Sequence, residues 1–167
     1  MKLHDEPRDD FLARLEVVRE QLTKLASSTY APDAQTDPDP TGSETWSAGN
    51  VFAHIGEFPS YWLREASMVA DTFNGKPVPF GRTKQDPHRK EVIIRDAARS
   101  PQEIMEQIAP ELDELRNFIA DLPPDGWEAT GLHETLGPMP MSRIVDEFLV
   151  GHLEEHARQL ELLLTRS

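Results

Sequence analysis

The chain contains no cysteine. That excludes disulfides, thiolate zinc sites, iron–sulfur clusters and a cysteine nucleophile, and leaves histidine and carboxylate as the side chains able to hold a metal. Long apolar runs are also missing: no stretch approaches the roughly 18 apolar residues of a membrane span. The start, Met1-Lys2-Leu3-His4-Asp5-Glu6, has no apolar leader core, and a cytoplasmic protein is expected. Basic residues are few. With 17 Lys and Arg against 30 Asp and Glu the formal charge is -13, which repels phosphate backbones and anionic membranes and argues against nucleic acid as a partner. The 167 residues suit one domain with a proper core.

Helical periodicity is plentiful, and convincing strand alternation is absent. Phe11, Leu15, Val18, Leu22 and Leu25 alternate spacings of four and three, which predicts a helix over about residues 7–29. The Pro- and Asp-rich run 31–40 then marks a long surface connection. Ser47 caps a second helix over 47–73, with Asn50 in place of the usual Glu or Gln of a capping box. Its apolar face reads Val51, His54, Ile55, Phe58, Trp62, Val69 and Phe73, and Pro59 within it is expected to kink it beside His54. Ser100-Pro101-Gln102-Glu103 opens a third helix over 100–121, with Ile104, Ile108, Leu112, Leu115 and Ile119 on one face and Pro110 expected to bend it. A fourth is expected over 141–165, its inner stripe Ile144, Val145, Phe148, Leu149, His152, His156, Leu160, Leu163 and Leu164. Four amphipathic helices predict an all-α four-helix bundle. The connection 74–99 carries Lys76, Arg82, Lys84, Arg89, Lys90, Arg95 and Arg99; it reads either as a flap offering charge to an anion or as a solvated crossover, with Val92-Ile93-Ile94 packing down as a short helix or extended segment.

His152 and His156, four apart on an apolar face, can bring two imidazoles to one ion, and His54 is a third inward histidine on another helix. The competing reading is three core histidines, each hydrogen-bonded to a carbonyl or carboxylate. His4, His88 and His133 fall in the tail or loops and are expected to be solvated. Glu155 lies off the core face and is expected to be solvated as well. Gln159 can hydrogen-bond within the bundle beside the histidine pair, whereas Trp46, Trp62 and Trp127 read as core rather than substrate wall.

Trp46-Ser47-Ala48-Gly49-Asn50-Val51-Phe52-Ala53-His54-Ile55, then Gly126-Trp127 to His133 and Leu136-Gly137-Pro138, then Gly151-His152-Leu153-Glu154-Glu155-His156-Ala157-Arg158-Gln159-Leu160 together resemble the DinB/YfiT-like superfamily in motif and order. The resemblance departs at Asn50, where family members often have Glu, and at Pro140, where a Ser or Thr cap is common. It implies a four-helix bundle, frequent homodimers, and one divalent transition-metal ion, nickel or zinc foremost, held by His54, His152 and His156. It further implies thiol chemistry: members include S-transferases and isomerases that use bacillithiol or mycothiol, among them a mycothiol-dependent maleylpyruvate isomerase. A metal-dependent hydrolase, a metal-binding protein without turnover and a plain helical interaction module are the alternatives.

Overall fold

The computed structural model describes residues 5–40 and 44–166; the expectation for His4 lies outside them. In chain order the elements are α1 (Asp5–Ala26), α2 (Ala48–Thr72), β1 (Val78–Phe80), α3 (Pro87–Arg95), α4 (Pro101–Asp121), α5 (Pro124–Glu128), β2 (Thr130–His133), β3 (Gly137–Pro140), α6 (Met141–Phe148) and α7 (Val150–Leu164). The long helices close a ring in which α1 and α2 each pack against both α4 and α7. The expected stripes face inward: Leu15, Leu22, Ile55, Phe58, Ile104, Ile108, Leu115 and Ile119 are all almost completely buried. Each such side chain contributes about 1.5–3 kcal/mol on leaving water. No helix among the described residues is long and apolar enough to cross a membrane.

The helix starts are built as their residues require. Ser47 Oγ accepts from the Asn50 amide at 3.2 Å while Asn50 Oδ1 accepts from the Ser47 amide at 3.0 Å, so asparagine completes a reciprocal capping box. Ser100 accepts from Glu103 N–H at the head of α4. Pro140 gives α6 no side-chain cap; the Met141 amide instead donates to Ala129 O. Both α2 and α4 run on through their internal prolines, Pro59 and Pro110.

Two expectations are corrected. The fourth helix is broken: Leu149, at φ -123° and ψ -93°, separates α6 from α7. Arg14 of α1 spans the break, donating to Asp146 on α6 at 2.7 Å and to Glu154 on α7 at 3.2 Å. There is also a small sheet, in the order β1-β2-β3, with β1 and β2 parallel and β2 and β3 antiparallel. Within it Phe80 pairs with His133, and both are buried on the bundle side. Val92-Ile93 do pack down, inside α3.

Candidate metal centre

α2 and α7 lie side by side in the ring, which brings His54 of α2 against His152 and His156, one turn apart on α7. His152 Nε2 is 3.1 Å from His54 Nε2 and 3.1 Å from His156 Nε2. Across the three rings one nitrogen each lies within 4.8 Å of the others. His54 and His156 are each 3 % exposed, while the His152 side chain, at 22 %, forms the wet edge of the cluster.

The outer nitrogens follow one pattern. Each histidine has an acceptor three residues further along its own helix, where helical geometry places a neighbour. His156 Nδ1 lies 2.7 Å from Gln159 Oε1, His152 Nδ1 3.4 Å from Glu155 Oε2, and His54 Nδ1 3.5 Å from Glu57 Oε2. With a proton on each Nδ1, beside these acceptors, the Nε2 lone pairs would face one another. Three such lone pairs repel unless a cation lies among them. The spacing is close to the roughly 3.3 Å that separates nitrogens on a tetrahedral zinc with bonds of about 2.0–2.1 Å, so the donor set fits a divalent transition-metal ion.

Burial and the neighbouring rings keep His54 and His156 neutral. Burial pushes His54 well below the ordinary imidazole range, with the neighbouring His156 and His152 adding to the effect. Burial, then His152, lowers His156 to about 3, against a smaller opposing effect of the Gln159 hydrogen bond. Neutral imidazole is the ligating form. Glu155 is pulled down to about 2, first by its hydrogen bond to His152, so it stands ionised at the wet edge although its side chain is half exposed.

Aromatic rings enclose the cluster. Trp46 lies edge-on to His54 at 5.2 Å and stacks on His156 at 5.8 Å, and Phe58 meets His152 edge-on at 4.5 Å. Trp62 and Trp127 serve elsewhere, stacked on Phe148 and Phe11. The basic crossover is neither an open flap nor wholly solvated. Arg89, 7 % exposed, donates to both oxygens of Glu44 and lies over the Trp46 ring. Arg82 is buried against Glu57. Lys76, Lys90 and His88 are exposed.

His133 is not solvated. It is 5 % exposed; its Nδ1 accepts from the amides of Thr135 and Leu136 at 3.1 and 3.2 Å, which leaves Nε2 to donate to Arg82 O at 3.1 Å. The hairpin of β2 and β3 turns it inward, and all its hydrogen-bonding capacity is taken up away from the three-histidine cluster. Sequence reasoning passed over Glu57 and read Arg82 and Arg89 only as members of the basic connection 74–99. The signal for Glu57 was present, since an acceptor follows each clustered histidine by three.

Helices carrying three inward imidazoles define a class of bundle with a candidate mononuclear metal centre. Comparison with known proteins agrees: the DinB superfamily profile matches residues 14–160, and the chain belongs to that superfamily. Among solved structures it is similar to a mycothiol-dependent maleylpyruvate isomerase, with TM-score 0.66 and 16 % identity over 96 % of this chain and 63 % of that one. A histidine-to-alanine mutant of that isomerase superposes equally well, at TM-score 0.65 and 16 % identity over the same shares of the two chains. At that identity the likeness is one of fold, and the chain spans somewhat under two thirds of the isomerase's length. No curated protein sequence matches it.

Proposed function

We propose that His54, His152 and His156 hold one divalent ion, nickel or zinc, and that the protein uses it to activate a low-molecular-weight thiol for S-transfer or isomerisation of a small-molecule substrate. The observation that carries this reading is the meeting of three Nε2 atoms, each ring backed at Nδ1 by an acceptor. Three protein ligands leave a coordination position open, as catalytic sites do. When bound, such an ion supplies Lewis acidity that lowers the pKa of a coordinated thiol. The thiol must come from outside, because the chain has no cysteine.

The protein's own residues supply the setting. Trp46 and Phe58 keep water from the buried rings. Glu155 accepts the Nδ1 proton of His152 and orients that ring at the edge a substrate approaches. Dependence on mycothiol in the structurally similar isomerase and membership of the DinB superfamily favour thiol chemistry over hydrolysis. A cytoplasmic homodimer belongs to the same proposal, and sedimentation of the purified chain checks the dimer.

Elemental analysis of untagged protein tests the centre. About one equivalent of nickel or zinc per chain is expected, lost or sharply weakened in folded His54→Ala, His152→Ala and His156→Ala variants. Wild-type protein that binds no divalent ion would overturn the reading. For the thiol, the visible spectrum of the Co2+-loaded protein should change on adding mycothiol or bacillithiol. No change with either, or with glutathione, would remove the thiol and leave a metal-binding bundle.

A further inference from the structure

We propose that Glu57 and Arg82 form an outer clamp on the metal centre: Arg82 holds the Glu57 carboxylate against Nδ1 of His54, fixing the tautomer that turns Nε2 toward His152 and His156. The inference rests on the metal-binding reading for its consequence, though not for its geometry. Glu57 and Arg82 are positioning residues, acting through His54.

His54 Nδ1 is completely buried and makes no hydrogen bond of ordinary length. Its nearest acceptor, Glu57 Oε2 at 3.5 Å, is a few tenths of an ångström beyond the usual range. A buried N–H left without a partner is costly, so the contact closes or the proton moves to Nε2. Movement to Nε2 would remove the lone pair from the cluster.

Arg82 decides between these. Both Glu57 oxygens are taken by its guanidinium, Nη1 to Oε1 at 2.5 Å and Nη2 to Oε2 at 2.7 Å. The two side chains are only 5 % and 8 % exposed. That fork fixes the carboxylate in place beside His54, and an acceptor held against Nδ1 favours the Nδ1–H tautomer and makes Nε2 a better donor to metal. Arg82 is itself held in place: its guanidinium lies 4.0 Å over the Tyr61 ring and its carbonyl accepts from His133 Nε2.

The three outer acceptors are therefore unequal. Gln159 is uncharged and Glu155 is half exposed. Glu57 is buried and charged, and its counter-ion comes from the segment between β1 and α3 rather than from either ligand-bearing helix. Metal affinity thus depends on the docking of that segment, which Arg89, paired with Glu44, and Lys84, paired with Asp39, help to hold in place.

The full chain, stripped of metal, allows two measurements on wild type, Glu57→Gln, Arg82→Met and the double variant. Long-range 1H–15N correlations report the His54 tautomer without metal; the Nδ1–H form is expected in wild type and a mixture in Arg82→Met. Chelator competition with Zn2+ and the d–d spectrum of Co2+-loaded protein report the centre. Arg82→Met should weaken binding by roughly 10–100-fold. Glu57→Gln should lose less, since an amide oxygen still accepts from Nδ1–H. The double variant removes both charges and leaves neither buried alone, so it should fold and still bind weakly with an altered Co2+ spectrum. Wild-type affinity and spectrum in the folded double variant, or an Nε2–H tautomer in the wild type, would overturn the clamp. A wild type that shows the Nδ1–H tautomer but binds no ion would retain the clamp geometry and overturn the metal-centre reading.

Discussion

Arg82 reaches Glu57 because a glycine precedes it. Gly81 has φ +89°, and a Cβ there would stand 2.9 Å from His133 Cδ2 and 2.9 Å from Trp62 Cζ3. Gly75 also has positive φ, +104°, but has open space where a Cβ would go. The pair separates backbone strain from packing. Gly75→Ala should cost about 1 kcal/mol from the backbone alone and leave metal affinity unchanged, whereas Gly81→Ala should cost about 2–3 kcal/mol and weaken metal binding by displacing Arg82. Urea denaturation and metal titration of both variants check this; equal losses would mean that His133 and Trp62 yield freely. At this scale the three-histidine cluster was legible, because His54, His152 and His156 sit on apolar stripes of regular period. Gln159 was legible too, as a neighbour one turn on. Glu57 stands at the same spacing from His54, but its pairing with Arg82 was not legible, because the partners are 25 positions apart and nothing in a helical pattern announces such a meeting. His133 was misread because its burial depends on pairing between strands that local sequence does not signal.

The departure from the family at residue 50 has its explanation between elements. Asn50 not only completes the α2 capping box but donates from Nδ2 to Ile93 O at 3.1 Å, one of the last carbonyls of α3, which lack partners within their own helix. A glutamate would keep the box and has no proton to donate. Asn50→Glu should therefore leave α2 capped while loosening α3 by about 1 kcal/mol, or roughly fivefold faster amide exchange confined to α3. Exchange that rises equally in α2 would show that asparagine is needed for the cap itself. The long helices were readable because their apolar periods and caps agree. The break at Leu149 was not, since the stripe from Ile144 to His156 continues across it. Its one signal was Gly151, where a Cβ would meet the Asp146 carbonyl oxygen at 2.1 Å. The strands are three or four residues long, and Gly137-Pro138-Met139-Pro140 shows no alternation to recognise. They exist because the bundle edge supplies a surface for Phe80, His133 and Met139 to bury against.

Across the whole molecule the three clustered histidines come from parts of the chain 98 residues apart, so the cluster exists only when the bundle is assembled. An ion bound there stabilises the native state and has little hold on the unfolded chain. At a free concentration about 100 times Kd the gain is about 2.7 kcal/mol. For a chain of this size each kcal/mol raises Tm by roughly 2–4 °C, which puts the expected rise at roughly 5–11 °C. The formal charge of -13 provides a rival route, because divalent cations also relieve repulsion on an acidic surface. The triple variant His54→Ala/His152→Ala/His156→Ala keeps that surface and removes the site. Calorimetry should therefore show the full rise with Zn2+ or Ni2+ in wild type, almost none in the folded triple variant, and little in either with Mg2+, which prefers oxygen ligands. A rise of equal size in the triple variant would place the stabilisation on the acidic exterior instead of among the three imidazoles.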